Sequence, residues 1–94
     1  MYTVKKTLVK PSNEVWFNES HPTESLVLSE WIKTLPGFIS INSENPNENT
    51  LISTIVFNTE AEFVSAMTDS PPQELSVRQQ NFISKKFTLT TEKT

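Results

Sequence analysis

Few side chains in this sequence can move a proton near neutral pH. His21 is the only imidazole, and its ordinary pKa suits general acid or base work. It follows Ser20 and precedes Pro22. No second base or orienting acid accompanies the pair, so a hydrolase triad has little support. A lone His at a helix start is also often a capping or surface residue. Lys6 is the second candidate base. It shares one side of an alternating segment with Tyr2, Val4 and Leu8. An ammonium aimed at an apolar layer must snorkel, escape to a sheet edge or meet an anion. Lys85 interrupts the apolar positions Ile83, Phe87 and Leu89 in the same way. The two lysines therefore suggest either a local irregularity or an anion or carboxylate site between sheet and helices.

Trp16, Trp31, Phe38 and Phe63 could wall an aromatic ligand pocket. Tyr2 could orient a ligand through its hydroxyl. Ordinary core packing and a sheet-edge position account for the same residues. Glu14, Glu19 and Glu24 lie close in sequence but lack metal-ligand spacing. With no Cys and one His, thiolate sites and paired-imidazole chemistry are excluded, and no metal is expected. Gly37 is the single glycine, which excludes a glycine-rich phosphate loop.

The elements that must position these residues fit in one domain over residues 1–94. Hydrophobic residues make up 35% and charged residues 20% of the chain, a balance suited to a soluble globular fold. The formal net charge of −3 argues against a general polyanion binder. The segment MYTVKKTLVK has lysines and no apolar h-region, so no secretory signal is expected. No apolar run approaches the roughly 18 residues that span a bilayer. A cytoplasmic protein with no membrane partner is the expectation.

Residues 2–10 alternate and are β-branched, which predicts a strand ended by Pro11-Ser12-Asn13. Residues 12–21 predict a loop whose Val15, Trp16 and Phe17 must pack somewhere. Leu28, Trp31, Ile32 and Leu35 form one stripe of a helix over 22–35, opened by Pro22 and stopped by Pro36-Gly37. Strands are predicted at 38–43 and 51–57, joined as an antiparallel hairpin by the turn-rich Glu44–Asn49. Thr59-Glu60-Ala61-Glu62 reads as a capping box opening a helix with Phe63, Ala66 and Met67 inside. Asp69-Ser70 interrupts it, and a short helix runs from Ser70-Pro71-Pro72-Gln73 to about Gln80. The last strand is predicted at 82–90, with a frayed tail over 90–94.

The order is β-α-β-β-α-β, the ferredoxin-like α+β arrangement. Right-handed crossovers place both helices on one face of a four-stranded antiparallel sheet and make strands one and four neighbours. The helices cannot cover the other face. The third strand offers apolar residues to both faces, so a second copy of the chain is the expected cover.

Leu35-Pro36-Gly37-Phe38, then strand, polar turn, strand and Phe57-Asn58-Thr59-Glu60-Ala61-Glu62-Phe63, resembles the dimeric α/β-barrel superfamily. Within it the chain is most similar to antibiotic-biosynthesis-monooxygenase-type domains, over roughly residues 2–90. The resemblance implies a homodimer with facing sheets and a cavity between each sheet and its helices. It also implies binding or oxidation of a small aromatic or quinone-type compound without a cofactor. Such chemistry needs a base to deprotonate a phenol in a dry cavity, a role open to His21 or a desolvated Lys6. Haem-degrading relatives carry a Trp and a His where this chain has Ala66 and Leu75 or Ser76, and neither Ala nor Leu can ligate iron.

Two other classes compete with this reading. A non-catalytic homodimer, binding a ligand or another protein, fits the scarcity of polar pocket residues. Single-stranded RNA recognition uses the same element order, but it needs exposed aromatics with basic residues and glycine beside them. Strands one and three offer only Tyr2 and Phe57.

Overall fold

The computed structural model describes residues 1–94. The alternating first segment forms β1 (Tyr2–Val9). Its even positions turn inward, leaving Val4 and Leu8 buried, and its odd positions turn outward. The loop after it contains one short turn, α1 (Phe17–Ser20). That turn is absent from the expected loop at 12–21. It buries Phe17, leaves Trp16 half-buried and leaves Val15 exposed. Helix α2 (Pro22–Lys33) starts on Pro22, whose missing N–H would have no helical partner there.

Strands β2 (Phe38–Asn47) and β3 (Thr50–Phe57) form the hairpin. β2 runs four residues past the expected Ser43. It lies at a sheet edge, where Pro46 removes no ladder bond that the sheet needs. Ile39 is the extra residue of a bulge between Phe38 and Ser40 and is exposed, whereas Ile41 packs on the core. Thr59 caps α3 (Glu60–Thr68) by accepting the Glu62 amide at 3.2 Å. The Glu62 carboxylate accepts from the Thr59 hydroxyl at 2.9 Å, a tighter variant of the expected capping box.

Helix α4 (Gln73–Ser84) is longer than the short helix expected, and this displaces the last strand. Phe82 and Ile83 belong to the helix, and Lys85 is its C-cap. Lys86 takes a positive φ of 60° and ends it. Strand β4 is Thr88–Lys93, so the tail expected to fray is paired with β1. Lys85 thus leaves the sheet face, and its amine pairs with Glu14 at 3.1 Å.

The sheet order is β2-β3-β1-β4 with every neighbour antiparallel, and the helices pack on one face. This is the ferredoxin-like α+β fold. The core falls into two clusters. One gathers Val4, Ile32, Ile55, Phe57, Phe63 and Ala66; the other gathers Leu8, Phe17 and Phe82. No helix is long and apolar enough to cross a membrane.

Candidate functional site

Lys6 stands on β1 between Val4 of the first cluster and Leu8 of the second, on the same helix-facing side. Its register partners are Ser53 on β3 and Thr91 on β4, and Ser53 pairs in turn with Ser43 on β2. A polar belt, Ser43–Ser53–Lys6–Thr91, therefore crosses all four strands between two apolar clusters. The Ser43 and Ser53 hydroxyls share a hydrogen bond at 3.3 Å.

Above this belt lies a cavity of about 560 Å³, within the usual range for small-molecule sites. The sheet contributes its floor, including Lys6, Ser53 and Ile41. Helix α2 contributes Leu28, Trp31 and Ser25, and α4 contributes Leu75, Arg78 and Phe82. Trp16 and Phe17 close one side. Desolvation pushes the Lys6 amine below the ordinary lysine value, and the neighbouring charges of Arg78 and then Lys93 push it further. Desolvation also lowers Arg78, which stays protonated at any physiological pH. Its guanidinium lies 4.5 Å from the centre of the Phe82 ring.

Lys6, Trp16 and Trp31 come together in this cavity. Tyr2, Phe38 and Phe63 do not line it; they pack around the first core cluster, with Tyr2 and Phe63 ring centres 5.6 Å apart. The Tyr2 hydroxyl is pushed above its ordinary pKa by desolvation and then by Glu60 beside it. Lys85 is engaged by Glu14. His21 lies outside the cavity lining. Its ring stacks on Phe17 at 4.8 Å, and its Nδ1 shares a hydrogen bond with Ser20 Oγ at 2.9 Å.

Arg78 is the cavity residue that sequence reasoning missed. Leu75, Arg78 and Phe82 fall at i, i+3 and i+7, one helical stripe with a cation in its middle. Ending the helix near Gln80 detached Phe82 and hid that stripe. The belt serines were also missed, because each reads as an ordinary gap in a half-buried strand.

No family model and no curated protein matches the sequence. Solved structures do match across the whole chain. A candidate antibiotic biosynthesis monooxygenase from Deinococcus radiodurans superposes with a TM-score of 0.75 at 8% identity, covering 100% of this chain and 90% of that one. SnoaB, a cofactor-independent oxygenase from Streptomyces nogalater, gives 0.71 at 13% identity, covering 99% and 89%. A ferredoxin-like dabb family protein from Mesorhizobium loti gives 0.54 at 8% identity, covering 98% and 96%. At these identities the likeness establishes the shared fold.

Proposed function

We propose that this chain is a monooxygenase-like domain that binds a small phenolic aromatic in the belt cavity and oxidises it with molecular oxygen, without a cofactor. The observation that carries this reading is the placement of Lys6. Its amine reaches a cavity with aromatic walls, and desolvation there favours the neutral, proton-accepting form. The fold shared with a cofactor-independent oxygenase supports the reading at the level of architecture.

Lys6 Nζ takes the proton of the ligand hydroxyl, and the ammonium so formed stays beside the phenolate and stabilises it. The phenolate passes electron density to oxygen, and the ring carbon para to the oxyanion forms a C–O bond. The Lys6 ammonium returns its proton to the peroxide, and the hydroperoxide so formed loses the proton on that carbon while its O–O bond breaks and water departs. One oxygen atom enters the ring and the other becomes water, so the substrate supplies every electron and a quinone results. Ile52 and Val56 lie half-buried on the sheet face that no helix covers, which supports a homodimer joined through that face. The register puts Tyr2 and Phe57 on the helix side, so that open face has no stacking platform for RNA bases.

The test is oxygen uptake with 1-naphthol. The expected result is one oxygen consumed per 1,4-naphthoquinone formed, a rate lowered at least tenfold by Lys6→Met, and no change with His21→Ala. Equal turnover by wild type and Lys6→Met would remove the base assignment. Binding of 1-naphthol without oxygen uptake assigns the chain to the alternative, a non-catalytic homodimeric ligand-binding module.

A further inference from the structure

Most exposed cations in this protein face solvent, and Lys10 and Lys85 also find protein acceptors, Asn49 Oδ1 and Glu14 Oε2, each at 3.1 Å. Lys6 and Arg78 are different. Both line the belt cavity, one from its β1 floor and one from its α4 wall, and neither donates to any protein acceptor. The protein's one ion pair joins Lys85 to Glu14. Glu19 is the single acid in the cavity lining, and it pairs with neither cation. The chain carries a net charge of −3, yet this aromatic-walled cavity carries two cations against one acid. A partly desolvated charge without a counter-ion is costly. The arrangement is what remains of an ion pair when one partner is a ligand.

The two cations are not equivalent. A guanidinium keeps its charge and offers a planar fork of N–H donors that matches a carboxylate at two points. The Lys6 amine is a single donor that can also lose its proton. We infer that Arg78 is a carboxylate seat, and that the cavity selects aromatic acids over neutral aromatics of the same size. The ring lies among Trp31, Leu75 and Phe82, with its carboxylate on the Arg78 fork. The Ser53 hydroxyl and Lys6 remain free for a ring substituent. This inference rests on the reading that the cavity binds an aromatic compound, and it does not depend on oxidation. A carboxylate on Arg78 removes one of the charges that depress Lys6 but leaves desolvation, the larger cause, in place.

The test is calorimetric titration with 2-naphthoate and with 2-naphthalenemethanol, a neutral ligand of nearly the same shape. The naphthoate is expected to bind at least tenfold more tightly. Arg78→Gln should abolish that preference while leaving the alcohol's affinity within about twofold, and Arg78→Lys should restore part of it. Equal affinity for the two ligands, or a preference that survives Arg78→Gln, would overturn the carboxylate seat and leave the oxidation reading standing. Failure of both ligands to bind would overturn the cavity reading as well. If Arg78→Gln does not fold, the wild-type comparison together with Arg78→Lys decides the matter.

Discussion

The carboxylate of Glu62 occupies the space that a side chain at Gly37 would need. Gly37 has a φ of 81°, the left-handed region where a Cβ is strained. Its carbonyl accepts the Asn58 N–H at 2.8 Å, so the exit of α2 is fastened to the entry of α3. Glu62 is held in turn by the Thr59 hydroxyl. Gly37→Ala is therefore expected to destabilise twice, once through the backbone and once by displacing Glu62. The sum should be about 2 kcal/mol, with a fall in Tm on the order of 10 °C. Adding Glu62→Ala should recover part of the loss, because the displacement then has no cost. Strict additivity of the two substitutions in thermal unfolding would show that they share no space.

The same turn shows what the sequence makes legible. Pro36-Gly37 and Thr59-x-x-Glu62 each carry their own local chemistry, so helix ends could be placed without knowing the fold. β1, α2 and β3 were legible for a similar reason: each has a clear period and a sharp stop. The segment Phe82–Phe87 has neither. A short apolar run fits strand or helix equally, and here contacts with Leu8 and Phe17 decide for helix. β4 is polar apart from Leu89 and exposed, so only its pairing with β1 reveals it. Lys6 was legible as an anomaly because it broke an apolar face. Arg78 was not, since its meaning depends on the stripe that Phe82 completes. No spacing in the sequence announces that Ser43 and Ser53 align with Lys6.

Lys6 should make stability depend on pH in a definite direction. Its folded-state pKa lies below the unfolded value of about 10.4. Between those two values the unfolded chain binds more protons, so stability rises with pH. Below the folded value the charged amine carries its full cost. Lys6→Met is expected to stabilise the fold at pH 7 by about 1 kcal/mol and to flatten the rise toward pH 10. Urea unfolding of both proteins at pH 7 and pH 10 measures this. Parallel pH profiles would mean that Lys6 is not desolvated.

Asn81 offers a stabilising change away from the cavity. It is buried in α4, and its Oδ1 has no hydrogen-bond partner. An unpaired buried acceptor forfeits its hydration without return. Asn81→Leu keeps the branching of the side chain, replaces the amide oxygen and nitrogen by methyl groups, and is expected to gain about 1 kcal/mol. Because Asn81 does not line the cavity, affinity for 2-naphthoate should not move. A lower unfolding midpoint for this variant would show that the amide has a role its surroundings do not reveal.

Val56 tests the open face of the sheet. In register it lies between Thr3 of β1 and Ser40 of β2, on the side away from the helices. A lysine there would point into the proposed interface, and two-fold symmetry would bring it in twice. Val56→Lys alters neither core cluster nor the cavity lining, so the monomer fold should survive. Sedimentation is expected to show a dimer for the wild type and a monomer for the variant at micromolar concentration, with matching far-ultraviolet circular dichroism. A wild-type monomer at that concentration would remove the homodimer. A Val56→Lys dimer would move the interface to another surface, where the exposed Leu26 and Ile83 of α2 and α4 would be the next positions to charge.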